Sequence, residues 1–193
     1  MANLSSSEIR KHMRRQRSQI SEYDLHKRSQ KIANLFVASK IFNKAKIIAS
    51  FESIDGEQSP HIINKLAKQH GKIIMLPIVQ NFSTRLRFGM DVDDTIINKF
   101  GIKEPRCSTN IPLWMFDVVL LPLTAFDDEG NRLGMGGGFY DHSFDFCKYR
   151  KVRPLLIGVA HALQKTAIIQ TNEWDVPLDY ILTEQQLLLF NKT

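Results

Sequence analysis

The sequence predicts an α/β fold: one three-layer domain with a largely parallel central sheet flanked by helices. Three observations predict it. Short apolar, β-branched runs alternate with segments of helical periodicity, which is the pattern of strand–helix–strand units. Two Ser-x-x-acid pairs near the start mark helix N-termini. A glycine-rich stretch links an apolar strand to a further helical segment. At ~150 residues per domain, the 193 residues make one domain spanning 1–193, and no linker divides it.

The elements follow in order. Ser5-x-x-Glu8 and Ser21-x-x-Asp24 open helices over Ser6–Gln19 and Glu22–Ser39, a basic helical segment at about 6–39. Leu25, Ile32, Leu35 and Phe36 give the second helix a buried stripe. Lys46–Phe51 reads as a buried strand, and Ser59-Pro60 opens a helix that ends before Gly71. Lys72–Ile78 is the next strand, with a short one at Arg85–Phe88. From Met90 to Pro112 the chain reads as irregular. Val118–Pro122 is a strand, followed by the turn Asp127–Asn131. A helix is expected from the glycines to about Tyr149. Leu155–Ala160 and Tyr180–Thr183 are strands, and Glu184–Phe190 is read as a terminal helix.

Composition excludes several classes. With 43% hydrophobic and 24% charged residues the chain is globular rather than disordered or collagen-like. Its longest uncharged apolar run, Val118–Phe126, is far short of the ~18–20 residues of a membrane helix. The basic N-terminus lacks a following apolar core, and Cys107 and Cys147 cannot form a disulfide framework. A cytoplasmic chain is therefore expected. The formal charge is +6, and it is unevenly placed. Residues 1–31 carry eight basic and three acidic side chains, against eighteen and seventeen in the remainder. Such a segment suits an anion such as phosphate, nucleic acid or an acidic membrane.

Four of the ten glycines lie at 134, 136, 137 and 138, within Asn131–Asp141. The spacing is neither Rossmann, because position 139 is Phe139, nor Walker, because no Gly-Lys-Ser/Thr follows. A tight turn without a ligand fits one or two glycines. Four within five residues, between a strand and a helix, favour an anion site built from backbone N–H groups. On bare sequence Arg132 reads equally as a surface ion-pair former, and Asp141 as an acid favoured by the helix dipole. Arg10, Arg14 and Arg17 recur at i, i+4 and i+7 on one helix face, with Lys11 and Arg15 beside them. A solvated face explains most such stripes. The six histidines show no metal spacing and the cysteines carry no nucleophile signature; Trp114 and Trp174 could stack on a flat ring ligand, but core packing is the better expectation.

The stretch Ala125-Phe-Asp…Gly-Asn-Arg-Leu-Gly-Met-Gly-Gly-Gly-Phe-Tyr-Asp141 resembles the signature of the 5-formyltetrahydrofolate cyclo-ligase family. Phe51…Asp55-Gly-Glu57, Ile102-Lys-Glu-Pro105 and Glu173-Trp-Asp175-Val-Pro fall in the family's order, so the resemblance covers almost the whole chain. It implies an ATP- and Mg²⁺-dependent conversion of 5-formyltetrahydrofolate to 5,10-methenyltetrahydrofolate. It assigns the nucleotide to Arg10, Lys11 and Arg14 of the first helix and to Arg132, Leu133, Gly134, Met135, Gly136, Gly137, Gly138, Phe139 and Tyr140. Arg132, Tyr140 and Asp141 become catalytic. Folate falls to Glu52, Glu57 and the loop Met135–Phe139, and Mg²⁺ to Asp141 and Asp175. Phe51, beside Glu52, is expected in the core. A family Lys or Arg position falls on Ser6, a departure that either Lys11 or another basic residue offsets or that leaves ATP binding weaker. The implied partner is the folate alone, with no nucleic acid and no membrane, and the chain is expected to be a monomer. The competing readings are a nucleic-acid module using the basic helix, or a divergent relative acting on another acceptor.

Overall fold

A computed structural model describes residues 5–190. Its central sheet has seven strands: β1 (Ile47–Ala49), β2 (Ile73–Ile78), β3 (Arg87–Met90), β6 (Val118–Pro122), β9 (Leu155–Val159), β10 (Tyr180–Leu182) and β11 (Leu187–Leu189). Their order is β11-β10-β9-β6-β1-β2-β3. The five central strands are parallel, and β3 and β11 are antiparallel edges. Two hairpins lie outside the sheet: β4 (Thr95–Ile97) with β5 (Lys103–Pro105), and β7 (Ala125–Phe126) with β8 (Arg132–Leu133).

Strand periodicity explains the layers. Val118 and Leu120 join one buried cluster, while Val119 and Leu121 join the other. Successive side chains thus feed opposite faces of a sheet buried on both sides. On one face, α2 (Glu22–Val37), α3 (Lys40–Lys44) and α4 (His61–Gln69) contribute Ile32, Phe36, Phe42 and Ile63. The other face is covered by Phe144 and Cys147, from α5 (Phe139–Phe144) and the 3₁₀ turn Asp145–Lys148, together with Phe88, Phe116 and Leu178. The first helix, α1 (Ser6–Arg17), starts at the expected capping box on Ser5 and Glu8. Its Ile9 and Met13 form a separate cluster with Ala125, Leu133 and Ile169, docking it on the β7–β8 hairpin. Among the described residues, no helix is long and apolar enough to cross a membrane.

Several expectations are corrected. The segment read as a terminal helix holds the edge strand β11 (Leu187–Leu189), paired Tyr180↔Leu189. Thr183 Oγ1 accepts from the Gln185 and Gln186 amides at 3.3 Å. That turn reverses the chain instead of capping a helix. The stretch from Met90 to Pro112 contains the β4–β5 hairpin, pinned by buried Glu104, whose Oε2 accepts from Val79 N and Asn98 Nδ2 at 3.0 Å. The second helix stops at Val37, and Ser39 caps the short α3 by accepting from Phe42 N at 3.1 Å. The helix after the glycines is α-helical only to Phe144. Trp114 and Trp174 are exposed at 40% and 60%, not core residues. Phe51 is in the core, as expected.

Candidate active site

A cleft of about 600 Å³ opens at the C-terminal ends of the parallel strands, where ligands bind in open α/β sheets. Phe51 and Glu52 follow β1, Pro77 lies in β2, and Pro122 ends β6; all four line it.

The glycine loop forms one wall. Its approach is set by the β7–β8 turn, where buried Asp127 accepts from the Glu129 and Asn131 amides at 3.0 and 2.9 Å. Gly136 (φ +104°) and Gly138 (φ +64°) take backbone conformations that other residues rarely adopt, and Gly138 is the residue before α5. α5 is anchored from below: Ser143 Oγ donates to Phe139 O at 2.6 Å and accepts from Leu86 N at 2.8 Å. Arg10 Nε of α1 donates to Gly134 O at 2.8 Å, holding the loop from the other side.

Arg132 and Asp141 form a half-buried ion pair, Nη2 to Oδ1 at 2.7 Å, with side chains 6% and 19% exposed. The same Oδ1 accepts from Val176 N at 3.0 Å, and Arg132 Nη1 donates to Val176 O. These contacts fasten the late segment 172–176 to the glycine loop. There, Asp175 Oδ2 accepts from Asn172 N at 2.7 Å. Asp141 and Asp175 both line the cleft, and each keeps one carboxylate oxygen without a hydrogen bond among the described residues. Two carboxylates with a free oxygen each fit Mg²⁺, which takes one or two carboxylates and completes its octahedron with phosphate oxygens and water. Among the described residues no cluster of three His, Cys, Asp or Glu side chains offers a dedicated metal cage.

The opposite wall holds Glu57. Asp55 (φ 49°) and Gly56 (φ +69°) are both left-handed, and the Glu57 amide donates to Ile54 O at 2.9 Å, closing a tight turn. The turn directs Glu57 inward, where its side chain is 6% exposed. Burial pushes its carboxyl up to about 7, only partly offset by the Ile54 N–H and the Arg17 guanidinium. Burial, reinforced by Asp91, also raises Glu52. Burial and then Glu57 push the Tyr140 phenol up, so it stays protonated. Its ring stacks on Phe144 at 6.4 Å between centroids.

Most of the residues singled out from sequence meet in this cleft: Arg10, Glu52, Glu57, Arg132, Gly134, Met135, Gly136–Gly138, Phe139, Tyr140, Asp141 and Asp175. Three do not line it. Lys11 is exposed. Leu133 is buried under α1. Arg14 reaches Asp55 Oδ2 at 3.5 Å and Met135 Sδ at 3.6 Å from outside. Sequence reasoning missed Asn98, Phe100, Ile102 and Lys103 from the β4–β5 hairpin, and set Trp174 aside in favour of core packing; all five line the cleft. Phe100 meets Phe139 edge-on at 6.3 Å, so the hairpin and the glycine loop touch across the cleft.

The model of the 5-formyltetrahydrofolate cyclo-ligase family matches residues 2–184. A 5-formyltetrahydrofolate cyclo-ligase of Haemophilus influenzae is 34% identical over 187 residues, covering 94% of this chain and 99% of that protein. Its Escherichia coli counterpart is 33% identical over 148 residues, covering 74% and 80%. The solution structure of the 5,10-methenyltetrahydrofolate synthetase of Aquifex aeolicus superposes with a TM-score of 0.82 at 26% identity, over 98% of this chain and 95% of that one.

Proposed function

Because the chain belongs to the 5-formyltetrahydrofolate cyclo-ligase family and converts 5-formyltetrahydrofolate to 5,10-methenyltetrahydrofolate, we propose that this one cleft holds both the folate and the ATP that drives ring closure. The family is ATP-dependent, and the chemistry explains why. A formamide carbon is a weak electrophile, and its oxygen is a poor leaving group. In the proposed sequence the formyl oxygen attacks the γ-phosphorus of ATP, and the bond to the β-phosphate oxygen breaks, releasing ADP. The N10 lone pair then attacks the activated formyl carbon. Phosphate leaves with the former formyl oxygen, N10 loses its proton, and the five-membered ring is closed.

Phosphoryl transfer of this kind depends on positioning and charge compensation. Arg132 and Arg10 supply positive charge beside the loop. The Gly136–Gly138 amides supply unhindered N–H donors to phosphate. Lys11 and Arg14 stand at the edge and serve the nucleotide from outside. Tyr140, kept protonated by burial, donates to a phosphate or formyl oxygen. Asp141 and Asp175 would hold Mg²⁺, which when bound neutralises phosphate charge. Glu57 accepts N–H donors of the reduced pterin, and Glu52 and the Met135–Phe139 backbone border the same ligand. The observation that carries this reading is the juxtaposition, in one cleft, of a glycine loop flanked by two arginines, a pair of carboxylates and a buried third carboxylate. A cytoplasmic monomer belongs to the same reading. Two cysteines in the whole chain are too few for a disulfide framework, which suits a reducing compartment.

The test mixes purified protein with 5-formyltetrahydrofolate and Mg-ATP and follows the near-ultraviolet absorbance of the methenyl product, with ATP or metal omitted as controls. An absorbance rise that needs both is expected. Folded protein that binds ATP yet gives no rise would overturn the proposal.

A further inference from the structure

Arg17, the last residue of α1, has a completely buried side chain. Among the described residues, none of its three guanidinium nitrogens makes a hydrogen bond. An arginine in that position costs stability unless a charge compensates it. Its ionic partner is Glu57, with Nη1 3.8 Å from Oε1. That is too long for a hydrogen bond but well within the range of charge. Glu57 lines the cleft and Arg17 does not, so the guanidinium stands one layer behind the carboxylate.

The backbone fixes this relation. A Cβ at Gly56 would come within 3.4 Å of Arg17 O, so the Glu57 turn rests directly on the end of α1. α1 is in turn tied to the glycine loop through Arg10 and Gly134 O. Other groups also face Glu57. Arg14 of α1 and Asp55 of its own turn are of opposite sign and both more than half exposed. Tyr140 of α5 stays neutral, with Arg132 beyond it. His161, whose Nε2 lies 3.1 Å from Gly56 O, has its imidazole pushed down by burial, toward the neutral form. Arg17 is therefore the buried cation on this carboxylate, where solvent screens least.

We propose that Arg17 is a positioning residue for folate recognition: its guanidinium holds Glu57 ionised and aimed into the cleft, ready to accept the N–H donors of a reduced pterin. The inference rests on the reading of Glu57 as the pterin acceptor. Without Arg17 the burial that already lifts Glu57 is opposed only by the Ile54 N–H and the half-exposed Arg14, and a protonated carboxyl has one acceptor fewer to offer.

The test compares the unaltered chain with Arg17→Met, Arg17→Lys and Glu57→Gln in steady-state kinetics from pH 6 to 9. Arg17→Met is expected to raise the KM for 5-formyltetrahydrofolate about tenfold at pH 7, the scale of one charge-assisted hydrogen bond. The KM for ATP and kcat should stay within threefold. The folate defect should shrink toward pH 9, where Glu57 ionises unaided. Arg17→Lys should restore most of the affinity. A folate KM that is unchanged, or raised by a factor independent of pH, overturns the inference. If Arg17→Met does not fold, Arg17→Lys decides: a retained charge must keep the acid limb of the folate profile within half a unit, and a shift beyond one unit overturns it. Glu57→Gln separates the two readings. An unchanged folate KM there removes Glu57 as acceptor. A raised KM there with a normal one in Arg17→Met removes Arg17 alone.

Discussion

Asp141→Asn tests whether the aspartate serves chemistry or only architecture. In the fold, Asp141 Oδ1 accepts from Arg132 Nη2 at 2.7 Å and from Val176 N at 3.0 Å. An asparagine can keep that oxygen as a neutral acceptor for both. What disappears is the charge. A charge-assisted bond is about twice as strong as a neutral one, which contributes ~1 kcal/mol net. With side chains 6% and 19% exposed, the structural loss is therefore about 1–2 kcal/mol. For a chain of this length that lowers Tm by about 3–6 °C. If the carboxylate also holds Mg²⁺ against the transferring phosphoryl group, the loss at the transition state is larger. Removing one preorganised electrostatic group typically costs about 10²–10³ in kcat. The assay pairs initial rates of methenyl formation at saturating folate and Mg-ATP with thermal unfolding of the same sample. A Tm drop of a few degrees with kcat within threefold of the unaltered chain would refute the metal role and leave Asp141 as a strut between the glycine loop and Val176.

The remaining predictions concern pH and the glycines. Burial raises the Glu57 carboxyl from 4.5 to about 7. Between those values the folded chain holds more protons than the unfolded one. The destabilisation from burying the charge is thus absent below about 4.5 and complete above about 7, on the order of 3 kcal/mol. Relative to the unaltered chain, Glu57→Gln should gain about 2–3 kcal/mol between pH 5 and pH 8 in urea unfolding; a difference independent of pH would show that the carboxyl is not perturbed. Gly138→Ala forces a left-handed residue, costing ~1–2 kcal/mol, with its Cβ 3.2 Å from the His142 ring. The KM for ATP should rise at least about fivefold, and an unchanged KM would remove this loop from the nucleotide site. Gly158→Ala would put a Cβ 2.6 Å from Leu123 Cδ2 and 2.7 Å from Leu178 Cδ1. Overpacking of ~1–3 kcal/mol should lower Tm, read by calorimetry, while kcat at permissive temperature stays near normal.

What was legible in the sequence was what local pattern controls. Val118–Leu121 alternates between the two buried clusters, and its apolar run already read as a strand buried on both faces. Ser5 and Glu8 formed the capping box that their spacing announced. The β4–β5 hairpin was not legible. Each strand is three residues long, and the pair is held by Glu104 bonding Val79 N, a contact made only when the sheet exists. The terminal strand was missed because Leu187–Leu189 has no register until β10 supplies one. Trp174 was misjudged because an aromatic beside a cleft and one in a core look the same in sequence. The burial of Arg17 has a signal in the helix period. Ile9, Met13 and Arg17 are spaced four apart on the buried side of α1, so an arginine occupies a position where the helix period calls for an apolar residue.

The charge excess of the chain is concentrated on its first helix, and the arginines there are not equivalent. The three arginines that share one stripe occupy three environments. Arg10 bonds the glycine loop, Arg14 stays in solvent beside Asp55, and Arg17 is buried against Glu57. A helix bearing them for solubility alone would leave all three exposed, and it would place an apolar residue at position 17. The fold instead seats Ile9 and Met13 on the β7–β8 hairpin, which carries Arg132, and extends the far end of the helix to the Glu57 turn. The groups proposed for the nucleotide and those proposed for the folate are thereby referenced to one element. The proposed reaction needs the formyl oxygen brought in line with the γ-phosphorus, and effective molarity falls steeply with small misplacements. A single helix spanning both walls of the cleft meets that need without relying on the loops to find each other.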